Sequence, residues 1–556
     1  MPLVLWLTRS RVLVSRAGYP GAAEMHTRHW RDVLLALAGV VFGATSLTWP
    51  FGWDTAVHYY VGREWVLRGA IPYRDTFDHK PPLIHLVHAA SVWLFGEGMW
   101  GIRVIELGCI VVLGWACASL AVRRGERGPD GLRGASVLTA SVLYYGFFDY
   151  WNTAQCELLG TTLCALALLA AWRIRQLGRA AVVAGLVTGA VFALKPPLVV
   201  MSLVPFAVLA IRAAAGARRA GAARTAAVAR SAAWLAGSAL VIPTLFIAYF
   251  AAHGAAADLL DFVVRCNFTY LRDEPRLTTA GEVWANVDTM WRCFSPIASL
   301  LFVAAAVATA DAAVRRSRGR LARWATAWAL LAASALAVAI QLKFYFYHWI
   351  MPLSAVVLLA ANLMVDVSHA VRASRRAWVP PAAAVVLLAA FCRTGVEFDA
   401  FVRSSAATLH WWSGDWDRAR FAQTFQTWDG LRRYGDFEAT GLWLREHSSP
   451  DDFVLVRGIA AEIYVVSGRR APGRFFWTAF LTRSSRRFHR EEMLAEDYET
   501  IVDKRPRWVV TWAPSREGLD SAEWFSWMGY EQRQQFGGNI VMERKAVDVQ
   551  VQLGAP

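Results

Sequence analysis

Charge is what this 556-residue sequence is short of: 18% of its residues are Asp, Glu, Lys or Arg, against 56% hydrophobic ones, and its mean hydropathy is +0.32. Ordinary soluble domains carry about a quarter charged residues, so that class is excluded. Cysteine is scarce as well. The seven cysteines are scattered, with no CxxC pair and no metal-ligand spacing, which argues against zinc-finger and dithiol redox chemistry. Cys109, Cys117, Cys156 and Cys164 fall inside apolar runs and read as packing residues. A signal peptide is also missing: the apolar run Leu3 to Leu7 is too short and no small-residue cleavage site follows it.

What is present is apolar residues clustered into runs of membrane-spanning length, on the order of 20 residues. The length rule gives about eleven spans, near 32–49, 99–122, 134–149, 154–172, 180–194, 196–212, 231–251, 296–314, 324–342, 350–368 and 378–393. The net charge of +15 comes from arginines gathered in short loops between these runs, such as Arg123 to Arg133, Arg212 to Arg230 and Arg315 to Arg323. That is the positive-inside pattern rather than a nucleic-acid surface, and no nucleic-acid partner is expected. The arginine loops alternate, so they share one side, the cytoplasm. Residues 1–30 form a cytoplasmic segment, with HTRHWR after Met25 as its basic flank; Met25 is itself a candidate start. Loops 50–98, 150–153, 252–295 and 343–349, with the turn at Lys195, then face outward.

After about Arg393 the runs stop. Residues 31–393 make a membrane domain and 394–556 a mixed, charged domain that an odd span count places outside. Phe453 to Val456, Trp508 to Trp512 and Ile540 to Glu543 read as strands, and Asp436 to Glu446 as an amphipathic helix. This α/β domain has no GxGxxG, P-loop, HExxH or GxSxG word. The expected fold class is therefore a polytopic α-helical membrane protein with a C-terminal extracytoplasmic α/β domain.

The chemistry concentrates in the outer loop Pro50 to His88, which is polar, aromatic and proline-punctuated between two spans. Thr55 to Leu67 predicts an interfacial helix and Pro81-Pro82 the start of a second. Asp54 is open to two readings: a cap or first-turn acid of the first helix, or a general base or metal ligand at a cavity mouth. Lys80, in Asp78-His79-Lys80-Pro81-Pro82, is a fixed point charge suited to a phosphate, or a lysine snorkelling to lipid. Lys195 stands before a second Pro-Pro between apolar runs, where a charge is unfavourable unless it meets an anion. Glu157 lies at the outer end of its span, Arg103 and Glu106 form an i,i+3 pair, and Lys343, Tyr345, Tyr347 and His348 make an aromatic-basic turn or a lipid-facing belt.

These words in this order resemble the GT-C superfamily of polyprenyl-phosphate-sugar-dependent glycosyltransferases, in particular family-39-like members of the aminoarabinose transferase and protein O-mannosyltransferase group. The residues that carry the likeness are Trp53-Asp54, Tyr73-Arg74-Asp75, His79-Lys80-Pro81-Pro82-Leu83, Glu157, Leu194-Lys195-Pro196-Pro197 and the stretch Tyr345 to Pro352. The likeness extends to the outer domain and covers about 30–556. It implies a bacterial inner-membrane enzyme that moves a sugar from a polyprenyl-phosphate donor to a lipid, glycan or protein acceptor, with membrane lipids around it. Asp54 would be the base. Lys80, His79, Asp78, Asp75, Arg74, Glu157, Lys195, Lys343 and His348 would bind substrate. The family often has two acids directly after the first span; here Thr55 follows Asp54, so a divalent metal is left open, with Asp75, Asp78 or Glu157 as substitutes. A flippase for lipid-linked sugars and a glycan-binding scaffold are the other readings.

The arginine asymmetry makes a topological prediction. Reporter fusions after Gly216 and after Ser413 are expected to report opposite sides, cytoplasmic and outer; equal signals would show a span count wrong by an odd number.

Overall fold

The computed structural model describes residues 22–545 apart from 124, 127, 220, 222, 274–278, 296, 375–395, 428–429, 431, 479–480, 482–487 and 514–520. Among the described residues, nine helices are long and apolar enough to cross a membrane, and the chain is a multi-pass membrane protein. They include Trp100–Ala121, Cys156–Arg173, Leu177–Leu194, Arg318–Ala339 and Phe346–Arg372. Their outward faces keep large apolar side chains exposed, for example Leu34, Leu37 and Val41 on the first and Trp234, Leu245 and Ile247 on another. In water such faces would be a liability; against lipid they are solvated.

Two expected spans differ. The run at 134–149 is a helix only over Leu132–Tyr145. Its 14 residues rise about 21 Å, short of the hydrocarbon thickness, because the chain turns at Gly146 and continues through Phe147 and Phe148 as a buried aromatic turn. The run at 378–393 lies outside the described residues.

The helices that position the site are labelled in chain order: α1 (Ala22–Gly43), α2 (Trp53–Arg68), α3 (Pro82–Phe95), α4 (Trp100–Ala121), α5 (Leu132–Tyr145), α6 (Cys156–Arg173) and α7 (Leu177–Leu194). α2 and α3 fold back on each other as a hairpin in the loop between the first span and α4. Gly62 permits the close approach, since a Cβ there would stand 2.6 Å from the Ala89 nitrogen. α2 is more deeply enclosed than a helix lying on a membrane. Residues Thr55 to Glu64 are buried, because the C-terminal domain roofs them. Tyr60 stacks within 4.9 Å of Tyr464 and 4.2 Å of Phe476, and its hydroxyl accepts from the Ala471 nitrogen at 2.9 Å.

A buried guanidinium fastens this roof. Arg63 donates to the carbonyls of Tyr464 (2.9 Å) and Arg469 (2.8 Å) and to Glu64 (3.0 and 2.8 Å). A second, Arg103 on α4, donates to Pro50 O and Thr153 Oγ1, both at 2.7 Å, and pairs with Glu106 at 3.2 Å as its i,i+3 spacing predicts. Glu106 in turn accepts from Tyr144 and the Ala154 nitrogen. Charges this deep persist when they are paired and hydrogen-bonded. The two arginines thereby fix where the first outer loop begins and what covers it.

The C-terminal domain carries a four-stranded sheet of β1 (Val454–Val456), β2 (Trp508–Trp512), β3 (Tyr530–Phe536) and β4 (Asn539–Arg544), in the order β1-β2-β4-β3. β1 and β2 are parallel, and β4 runs antiparallel to both β2 and β3. The three apolar strands match the sequence reading. β3 does not, because YEQRQQF has only its two ends apolar and lies at the sheet edge.

Glu462, also in this domain, is fully buried beside the core residues Ile463 and Tyr464, and neither carboxyl oxygen has a hydrogen-bond partner among the described residues. Burial pushes its carboxyl up to about 8. An unfolded glutamate titrates near about 4.3. Between those values the unfolded chain has released a proton that the folded domain keeps, so stability falls as pH rises through the window and levels off above it. Glu462→Gln is expected to flatten the slope and raise the thermal midpoint at pH 8 in detergent. A variant that tracks wild type from pH 5 to 8 would show that Glu462 is solvated.

Candidate functional site: a cation-headed cavity under the C-terminal domain

Three local features deliver the loop residues to one place. Gly52, in extended backbone, is the N-cap of α2; a Cβ there would lie 2.7 Å from the Trp151 carbonyl. That contact sets Trp53 against Trp151, ring centres 4.7 Å apart, and brings Asp54 into the first turn. Asp54 is therefore a first-turn acid and not the cap, so the first of its two sequence readings stands in its first-turn form. Tyr73 has φ +73°, an unfavourable left-handed conformation for a bulky residue. It is held by its ring, buried against Phe250 at 5.3 Å, and by its hydroxyl, which donates to the Lys80 carbonyl at 2.8 Å. Pro81 then caps α3, with Pro82 at the first helical position, so the Lys80 backbone is fixed from both sides.

Lys80 and Asp54 meet across the mouth of a cavity of about 850 Å³. Lys80 Nζ lies 4.0 Å from Asp54 Oδ2, the side chains 15% and 36% exposed. Burial works against the Lys80 charge, but Asp54 and further acidic neighbours outweigh it and hold the ammonium above its ordinary range. Lys195 lines the same cavity and makes a short buried contact with Glu157, in the first turn of α6. Its ammonium also faces the Tyr347 ring at 5.4 Å. Lys343 completes the cationic head, 3.5 Å from the centre of the Tyr270 ring and donating to the Tyr270 carbonyl at 3.1 Å. His348 lines the wall between Tyr345 and Tyr347. The lower walls are apolar, with Phe192, Phe246, Ile247, Val263, Val264 and Ile340.

The other expected residues sit elsewhere. His79 lines the cavity. Asp78 does not: it is buried beneath the turn, 3.3 Å from His79 Nδ1 and from His85 Nε2, and 3.8 Å from His58 Nε2. Burial opposes its charge, but the His79 hydrogen bond and the neighbouring rings hold it well below the carboxylate range. Burial pushes His58, His79, His85 and His88 down, His88 to about 3. Asp78 is thus a carboxylate shielded by neutral imidazoles, a support for the turn. Arg74 and Asp75 are outside the cavity too. They pair with each other at 2.8 Å, while Asp75 accepts from the Ile71 nitrogen and Arg74 donates to the His253 carbonyl. Both act as a clip on the loop's far side.

No group of three or more His, Cys, Asp or Glu among the described residues is placed to hold a metal ion. The acids that might have joined Asp54 are committed: Asp75 to Arg74, Asp78 to the histidines and Glu157 to Lys195. The donor set does not fit a divalent metal.

Sequence reasoning missed the wall between 256 and 271. Asn267 donates to the His79 carbonyl at 2.6 Å, and Tyr270 hydrogen-bonds Tyr345 at 2.9 Å. It missed Ile459 and Trp477 as well, where the C-terminal domain closes the cavity; Trp477 Nε1 donates to the Phe77 carbonyl at 3.0 Å.

No protein-family model and no curated protein matches the sequence. Solved structures do. The crystal structure of ArnT from Cupriavidus metallidurans bound to undecaprenyl phosphate aligns over 92% of this chain and 98% of its own, at 13% identity and a TM-score of 0.55. The apo form of that protein aligns over 93% and 98%, at 11% identity and a TM-score of 0.39. Identity this low speaks to architecture, and what it shows is a shared fold, a polytopic helical membrane domain with a C-terminal α/β domain.

Proposed function

We propose that this protein is a membrane glycosyltransferase that moves a sugar from a polyprenyl-phosphate donor to a hydroxyl of an envelope acceptor at the outer face of the membrane. The observation that carries the reading is the shape of the charge. Three lysines head a cavity whose remaining walls are largely apolar, and Asp54, the one carboxylate lining it among the described residues, faces the first of those lysines. A phosphate on a long isoprenoid matches that cavity at both ends. Its charge meets the ammonium groups and its chain meets Phe246, Ile247 and Val263 at membrane depth. The fold shared with ArnT, whose structure contains undecaprenyl phosphate, supports the same class of ligand.

The chemistry follows from these parts. The sugar's anomeric carbon is bonded to a phosphate oxygen, already a good leaving group. Asp54 takes the proton of the acceptor hydroxyl as that oxygen forms its bond to the anomeric carbon. The carbon–oxygen bond to phosphate breaks, and its electron pair leaves with the phosphate, whose added charge Lys80 stabilises. Attack from the face opposite the phosphate inverts the anomeric centre. Before donor binds, Lys80 is the counter-ion of Asp54. Once a phosphate takes the ammonium, Asp54 loses that partner and becomes the better base.

Undecaprenyl phosphate is expected to bind the purified protein in detergent. Lys80→Ala should weaken it about tenfold or more, the value of a charge-assisted contact of roughly 1.5–3 kcal/mol. Lys80→Arg should recover part of the loss, because a guanidinium fork replaces a point charge. Unchanged affinity in Lys80→Ala would move the phosphate to Lys195 and remove the proposed role of Lys80.

A further inference from the structure

Trp53 stands directly before Asp54, and its indole is held by packing rather than by a hydrogen bond: its buried Nε1 has no partner among the described residues. Trp151 packs on it edge to face, ring centres 4.7 Å apart. Arg432 of the C-terminal domain approaches it as well, its guanidinium carbon 4.9 Å from the ring centre. The same guanidinium lies 3.9 Å from the centre of the Trp512 ring. Arg432 is thus stacked between an indole of the C-terminal domain and the indole that precedes Asp54. A planar guanidinium suits that place, because it can meet an aromatic ring on either side, where an ammonium is a single point charge.

On the side of the C-terminal domain the stack is anchored. The Arg432 carbonyl accepts from the Thr427 nitrogen at 2.9 Å, and the Arg432 nitrogen donates to Thr427 Oγ1 at 3.2 Å. Arg433, the next residue, is the N-cap of the helix Tyr434–His447. Trp512 ends β2 in register with Asn539 of β4, and the Ala513 nitrogen donates to the Gly538 carbonyl at 2.7 Å.

The other end needs such an anchor. Trp53 and Asp54 open α2, and Gly52 at the cap position contributes no side-chain hydrogen bond. The first turn of a helix is where orphan N–H groups and fraying concentrate. Asp54 is 36% exposed and stands 4.0 Å from Lys80, so the contact that holds its carboxylate is loose. A reacting group misplaced by about 1 Å can lose on the order of a hundredfold in rate. Trp53 lines the large cavity and Arg432 does not, which leaves Arg432 to act on the site through that indole.

We infer that Arg432 is a positioning residue: it fixes the Trp53 indole and, through the first turn of α2, aims the Asp54 carboxylate into the cavity. The inference rests on the reading of Asp54 as the base. Full-length wild type, Arg432→Leu, Arg432→Lys, Asp54→Asn and the Asp54→Asn/Arg432→Leu double variant would be compared in detergent. Binding of undecaprenyl phosphate gives the affinity and the number of working sites. Transfer of radiolabelled sugar from a polyprenyl-phosphate donor to envelope acceptor gives turnover per site. Arg432→Leu should bind undecaprenyl phosphate within about twofold of wild type, while its turnover per site falls about tenfold or more. Arg432→Lys should recover part of that loss, since an ammonium keeps a cation beside the indoles. In the double variant the losses should not multiply: with the base gone its aim no longer matters, and turnover should stay within about threefold of Asp54→Asn alone. Multiplied losses, or Arg432→Leu turning over within about twofold of wild type, would overturn the role. So would loss of undecaprenyl phosphate sites in both Arg432 variants, which would make Arg432 part of the fold. If Arg432→Leu alone loses its sites, Arg432→Lys takes its place in the same comparisons. An Asp54→Asn variant that turns over like wild type removes the base reading and the inference with it. A slow Asp54→Asn beside a fast Arg432→Leu removes the inference alone.

Discussion

A lysine ammonium at a membrane face needs an anion, and this protein sets two such pairs side by side at the head of one apolar cavity. They are not equivalent. Lys195 and Glu157 are buried and in short contact, so that pair is closed. Lys80 and Asp54 stand 4.0 Å apart and partly exposed, so that pair is open to exchange. Partners of a loose, partly hydrated pair gain little from each other. A phosphate that brings its own apolar chain can displace the carboxylate without leaving a charge bare. On the proposed function, the closed pair serves structure and the open one serves the substrate phosphate.

Keeping the open pair in place falls to groups that never touch the cavity. Arg103 ties the start of the outer loop to the 150–154 turn, and Arg63 bolts the loop to the outer domain. Asp78 and its neutral histidines fill the space beneath the Lys80 turn. Each is buried, so each specifies a geometry rather than merely adding stability. The outer domain then supplies part of the cavity's roof through Ile459 and Trp477.

The legible part of this chain was the part written in local pattern. Span-length apolar runs, the two Lys-Pro-Pro words and the α2 and α3 helices could be read because hydropathy, proline and turn chemistry act over a few residues. Asp54 was left between a cap or first-turn acid and a base or metal ligand, and the backbone adds that Gly52 holds the cap position and Asp54 the first turn. Arg74 and Asp75 looked as functional as Lys80, because sequence does not reveal which side of a turn a charge occupies. The wall at Asn267 and Tyr270 and the roof at Trp477 join the site across separations of 188 and 400 residues, beyond any local signal. β3 escaped because an edge strand can be polar on both faces.

The account turns on Asp54 acting as a base and not only as the resting partner of Lys80. Asp54→Asn keeps the shape and the first-turn position but cannot accept a proton. The decisive measurement is transfer of radiolabelled sugar from a polyprenyl-phosphate donor to envelope acceptor, in membranes with matched amounts of wild-type and variant protein. Turnover should fall by roughly 10²–10⁴-fold while undecaprenyl phosphate still binds. Turnover within about threefold of wild type would contradict the account, since asparagine replaces the shape of an aspartate well but none of its proton-accepting chemistry.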